Sequence, residues 1–215
     1  MASGVQTLTA LSATTYTQIA AGPSSGRAQV LSVSMCNTGI ATRIHLAVCP
    51  SGTSTPASTD FIEYNAYVSA NGVLERTGIV LGTGQILIAY AVSAAISVAV
   101  YGVEDVAVAA TGVMGRYSLS AATDTQITTT PSSGRFQAMT VNFCNTNNAA
   151  VTVRLGVSTT PTSMSAGNYL EYELSLPAYG VLERTGIIVS NGYAIGARAS
   201  TTGVAVVAWG IDQAV

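Results

Sequence analysis

Polar and apolar residues alternate along most of this chain. In AQVLSVSMC (28–36), Leu31, Val33 and Met35 fall on one side while Val30, Ser32 and Ser34 fall on the other. That is the period of a strand with one buried face. FQAMTVNFC (136–144) puts Met139, Val141 and Phe143 on the corresponding apolar side. Similar patterns at about 42–49, 61–68, 72–80, 85–92 and 96–103, with an earlier pair near 6–11 and 15–20, predict roughly eight strands. The whole set recurs further along the chain. No window carries a 3.6-residue period, and the abundance of Val, Thr and Ile favours strands. Turn residues punctuate the pattern at Gly22-Pro23-Ser24-Ser25-Gly26, Pro50-Ser51-Gly52, Asn71-Gly72, Gly82-Thr83-Gly84 and Asn191-Gly192.

The recurrence is literal in places. PSSGR at 23–27 returns at 131–135, CNT at 36–38 returns at 144–146, and GVLERTGI at 72–79 returns unchanged at 180–187, always 108 residues later. Between about 44 and 56 the best match needs an offset of 109, laying Ile44-His45-Leu46-Ala47-Val48 over Val153-Arg154-Leu155-Gly156-Val157. A one-residue slip inside a strand would turn it inside out, so the loops absorbed the difference. A unit this long is a folding domain, not a solenoid brick. The expected organisation is all-β: two tandem β-sandwich domains, jelly-roll-like or Ig-like, at 1–107 and 113–215, joined by a linker at 108–112.

Composition narrows the function. Charged residues are 8% of the chain, against roughly a quarter in an ordinary soluble protein. All eight basic residues are arginine, and the net charge is −2. The chain has no basic run, which argues against a nucleic-acid partner. No apolar stretch is long enough for a transmembrane helix, and the first residues do not resemble a secretory signal. Export to a membrane β-barrel is therefore not expected either. Cys36, Cys49 and Cys144 have no metal-ligand spacing. If 28–36 and 42–49 formed a hairpin, Cys36 and Cys49 would lie at opposite ends of it, so free thiols are expected.

Ten of the eighteen charged residues occupy matched positions in the two copies: Arg27/Arg135, Glu63/Glu171, Glu75/Glu183, Arg76/Arg184 and Glu104/Asp212. In an extended chain Glu75 and Arg76 point to opposite faces, as do Glu183 and Arg184, so each arginine needs another partner. Glu63 for Arg76 and Glu171 for Arg184 are the candidates. These pairs read as structural ion pairs within a domain, or as arginine forks reaching across subunits. His45, the only histidine, faces Arg154 in the alignment, which speaks against a shared general base or metal site. Glu171 and Glu173 alternate on one strand and share a face, but Glu173 is replaced by Asn65 in the first copy. The letters GxSxG at 22–26 lack a following helix. No catalytic residue, metal ligand or cofactor is expected. Tyr64, Tyr67, Tyr90, Tyr169, Tyr172 and Tyr193 could line a sugar-binding groove, although strand tyrosines more often pack on their neighbours.

The order PSSGR turn, strand ending in CNT, (I/V)xLxV, (I/L)EY, GVLERTGI and a closing (Y/W)G(V/I)(E/D) resembles the β-sandwich repeats of structural proteins in tailed bacteriophage virions. The resemblance spans nearly all of both copies. It implies a non-enzymatic virion protein, assembled in the host cytoplasm. A capsid decoration (cement) protein is the first expectation; a neck, tail or baseplate component is the second, and a carbohydrate-binding host-recognition module the third. The partners it implies are major capsid or neck and tail proteins, with a homo-oligomer, trimer or hexamer, from lattice geometry.

Overall fold

The computed structural model describes residues 3–107 and 111–214. The chain divides into two compact units, Met1–Ala57 with Glu63–Ala107, and Ser58–Ile62 with Val108–Val215. The linker expected at 108–112 falls partly on 108–110, which lie outside the described residues, and Gly112 already opens a strand.

The first half contains β1 (Gly4–Ala10), β2 (Thr17–Ala20), β3 (Arg27–Asn37), β4 (Thr42–Pro50), β5 (Phe61–Val68), β6 (Val73–Gly82), β7 (Gln85–Ala91) and β8 (Ile96–Val106). The second contains β9 (Gly112–Ser118), β10 (Thr125–Gln126), β11 (Arg135–Asn145), β12 (Val151–Ser158), β13 (Tyr169–Leu176), β14 (Val181–Ser190), β15 (Ala194–Ala199) and β16 (Val204–Ala214). A 3-10 turn, Ala166–Asn168, interrupts the second set. The sheets run β1-β8-β3-β6 and β2-β7-β4-β5 in the first half, and β9-β16-β11-β14 and β10-β15-β12-β13 in the second. Both halves thus have one strand order, the two-sheet jelly roll, with the described strand pairs antiparallel and isolated parallel bridges at Ala13–Ala91 and Ala121–Ala199.

The alternation sorts the side chains as the period requires. Leu31, Val33 and Met35 are fully buried, as are Ile44, Leu46 and Val48 from the opposite sheet. In the second unit Met139, Val141 and Phe143 join Val153, Leu155, Ile195 and Val206 in one core. Where the copies differ, one change offsets another: Met35 becomes the bulkier Phe143, and Val100 becomes the smaller Ala208.

Strands β3 and β4 do not form the hairpin that their succession suggests. β3 pairs with β8 and β6, whereas β4 pairs with β7, in the other sheet. The chain crosses between sheets at the CNT corner, and a buried asparagine pins the crossing. Asn37 Nδ2 donates to the carbonyls of Ile40 at 2.8 Å and Ser69 at 2.9 Å, while its Oδ1 accepts from the Gly39 amide at 3.0 Å. Asn145 repeats the arrangement with Ala149, Pro177 and Asn147. None of the three cysteines is in a disulfide, Cys36 being partly exposed and the other two buried.

Removing either asparagine side chain leaves loop carbonyls inside the protein without donors. Asn37→Ala and Asn145→Ala are each expected to cost about 2 kcal/mol in urea unfolding. Asn148→Ala, at an exposed position of the same loop, should stay within about 0.5 kcal/mol. Equal effects at all three positions would contradict the pinning role.

Candidate functional site

The residues of GVLERTGI sit on the edge strands β6 and β14. Across β6 the register shifts between Leu31 opposite Ile79 and Val33 opposite Arg76, so three residues of β6 span two of β3. Gly78, at φ +70°, sits in this bulge, and Gly186, at φ +72°, sits in its counterpart on β14. Glycine takes that backbone conformation without a Cβ clash. The inserted residue puts Arg76 opposite inward-facing Val33, and its guanidinium meets Glu63 on β5, the edge of the other sheet. Arg184 likewise meets Glu171 on β13. Each arginine clasps the two sheets together along one open side. Glu75 faces outward instead, where the Tyr101 hydroxyl donates to its Oε1 at 2.6 Å. Glu183 has its backbone carbonyl capped by Arg184 at 3.3 Å.

Arg27 and Arg135 hold the neighbouring carboxylates. Arg27 Nε pairs with Glu104, whose second oxygen accepts from Gln29 Nε2 at 3.2 Å. Arg135 pairs with Asp212, and Gln137 adds a bond at 3.1 Å. The hydrogen bond from Gln29, followed by that from Arg27, holds the Glu104 carboxyl below its usual range. Gln29 and Gln137 escaped the charge-based reading; two matched glutamines on an apolar strand face were the available signal.

The copies diverge on the outer face of the β4 and β12 sheets. In the first unit His45 is stacked between Tyr64 and Tyr90, with ring centroids at 4.4 and 4.7 Å. The Tyr16 hydroxyl lies 3.0 Å from His45 Nδ1. Burial lowers the His45 pKa to about 4. The Tyr16 hydroxyl is raised, first by burial and then by the neighbouring tyrosines. In the second unit the aligned positions hold Asp124, Arg154 and Arg198 around Tyr172. Arg154 lies over the Tyr172 ring at 4.5 Å and donates to Glu173 at 2.6 Å. Arg198 stands 3.8 Å from Asp124. Arg154, Glu173 and Arg198, together with Thr152 and Ser200, line a polar hollow of about 160 Å³.

Glu171 and Glu173 do not share a face. A bulge between Val153–Leu174 and Leu155–Glu171 puts Glu173 at φ +49°, and its side chain turns to Thr152 and Arg154. The hydrogen bond from Thr152, then that from Arg154, lowers its pKa. Nor do the tyrosines form a single row. Tyr64 and Tyr90 stack on His45, while Tyr169 meets Tyr172 edge-on at 4.9 Å beside a second hollow lined by Met164, Ser165 and Ala166. Among the described residues no three His, Cys, Asp or Glu side chains converge as a metal site would need.

Two outcomes follow. The folded pKa of His45 lies below its unfolded value of about 6.5, so the stability it contributes is complete above about pH 6.5 and drains away as pH falls toward 4. Proton NMR of this sole histidine should give a midpoint about 4; a midpoint near 6.5 would contradict the stack. The clasps should differ in strength, because the Glu63 side chain is 3% exposed and that of Glu171 is 18% exposed. Arg76→Ala is expected to cost about 2–3 kcal/mol and Arg184→Ala about 1 kcal/mol in urea unfolding.

No protein-family model and no curated protein sequence matches the chain. Among solved structures it is similar to a chain in the atomic structure of Sulfolobus turreted icosahedral virus, at 10% identity and a TM-score of 0.40, covering 98% of this chain and 90% of that one. The STIV MCP, in a crystal structure, gives 9% identity and a TM-score of 0.32 over 98% and 95%. A fucolectin from striped bass (Morone saxatilis) serum gives 12% and 0.27 over 86% and 79%. At these values the strand order itself remains the ground for the fold.

Proposed function

We infer that this chain is a non-enzymatic structural protein of a virion, acting as a capsid decoration protein of a tailed bacteriophage. One observation carries the reading. Seven of the eight arginines are held in carboxylate pairs, and the eighth, Arg43, donates to the Asn65 carbonyl at 2.7 Å. These pairs leave surfaces of little net charge for contact. Such faces adhere with little charge to desolvate, and many weak contacts on a lattice add up through avidity. The tandem jelly rolls, and a motif order that resembles phage virion repeats, support the same reading. The carboxylates engaged by arginines are poor candidates for acid–base work.

The hollow beside Tyr169 and Tyr172 favours a second reading, a carbohydrate-binding module, since tyrosine rings offer faces for sugars. Copy number separates the two. Quantitative mass spectrometry of purified virions should find on the order of hundreds of copies per particle, as a lattice held by avidity requires. Particles lacking the protein should release DNA at lower temperature. A count of about a dozen or fewer would overturn the decoration role and point to the tail, where a receptor module needs few copies.

A further inference from the structure

The outer faces of the β2-β7-β4-β5 and β10-β15-β12-β13 sheets are matched surfaces, and they differ in how they are filled. In the first unit the rings of Tyr16, His45, Tyr64 and Tyr90 pack against one another, and Arg43 reaches the Asn65 carbonyl at 2.7 Å. In the second unit Asp124 stands in place of Tyr16 and Thr152 in place of Arg43. Both are shorter, and the hollow of about 160 Å³ opens beside Thr152, Arg154, Glu173 and Arg198. Tyr172 has no histidine to lie on. Arg154 stands over its ring at 4.5 Å, and the residue remains 61% exposed. The same tyrosine, with Tyr169 and Met164, also lines the second hollow, of about 380 Å³.

The strand register sets Arg154 directly opposite Arg198. Like charges so placed are destabilising. Here Glu173 flanks one arginine and Asp124 the other, so the row carries no net charge. Its hydrogen-bonding capacity is not used up. Arg198 Nη1 is 3.8 Å from Asp124 Oδ1, beyond hydrogen-bond reach, and that oxygen is buried without a hydrogen bond. Asp124 Oδ2 accepts from the Met164 amide at 3.1 Å, which ties the wall of the second hollow to the charged row.

We propose that the two hollows together bind a neutral sugar unit, its apolar face on the Tyr172 ring and its hydroxyls among Arg154, Glu173 and Arg198. A row of balanced charge favours neither an anion nor a cation. A sugar hydroxyl is donor and acceptor at once, which suits guanidinium and carboxylate groups standing side by side. The exposed tyrosine beside them offers the flat apolar surface that the C–H face of a pyranose covers. The larger hollow falls within the range of small-ligand sites, about 300–1,000 Å³. The first unit lacks the site, because its own rings are stacked on His45.

The site deepens the carbohydrate-binding reading and rests on it, but it does not depend on copy number. Its test is an NMR titration of the full chain with the methyl glycosides of glucose, galactose and mannose, with N-acetylglucosamine, and with glucuronate as the acidic probe. At least one neutral sugar should shift the Tyr172 and Arg198 side-chain signals saturably, with a Kd of about 1–10 mM. Tyr172→Ala should weaken that binding about tenfold or more, and Arg198→Gln several-fold. Tyr67→Ala, at an exposed position of the first unit, should bind as the parent does. A preference for glucuronate, or sugar binding that Tyr172→Ala and Arg198→Gln leave unchanged, would overturn this site and leave the carbohydrate reading standing. Saturable shifts with none of the sugars would overturn both.

Discussion

The direction in which Arg76 points depends on a single extra residue in an edge strand. Without the bulge at Gly78, the apolar residues on either side of it could not both face the core. With it, Leu74, Arg76, Ile79 and Leu81 all lie on the inward side, opposite Met35, Val33, Leu31 and Gln29. The guanidinium can then cross to Glu63 on the edge of the other sheet. A sandwich is an open structure along its sides, where edge strands expose unpaired backbone groups and only the crossing loops join the two layers. Here that side is tied by an ion pair whose position is fixed by backbone geometry, and the second unit repeats it with Arg184 and Glu171. Arg27 with Glu104, and Arg135 with Asp212, join neighbouring strands by the same kind of pair.

Duplication makes the divergence between copies readable. The strands that build the core keep their faces, but the outer surface of β4 carries stacked rings around His45 while that of β12 carries arginines and carboxylates around Tyr172. The scaffold tolerates either set because neither reaches the core. These surfaces are thus where the copies differ most in chemistry.

The alternation of Leu31, Val33 and Met35 made the strands and their buried faces legible in the sequence, and the 108-residue offset made the duplication legible. The pairing of arginines with distant glutamates could be framed because each arginine had a matched carboxylate. Strand order could not be read. The crossing after Asn37 looks like a hairpin turn in sequence, and only the non-local pairing of β3 with β8 shows that it changes sheets. The shared face expected for Glu171 and Glu173 failed for a related reason. A bulge adds one residue without altering composition, so periodicity counts straight through it. The ring stack on His45 likewise joins residues from four strands or loops far apart in sequence.

The letter-for-letter identity of 72–79 and 180–187 carries a hazard for biosynthesis. Each stretch supplies an edge strand with the same bulge and register, so while the chain is still folding either one is a competent neighbour for the other's slot. Discrimination falls to the strand that receives it: Leu74 meets Met35 in one unit, and Leu182 meets Phe143 in the other. The unequal volumes of those receiving side chains act as a key, sorting two interchangeable segments into their own halves.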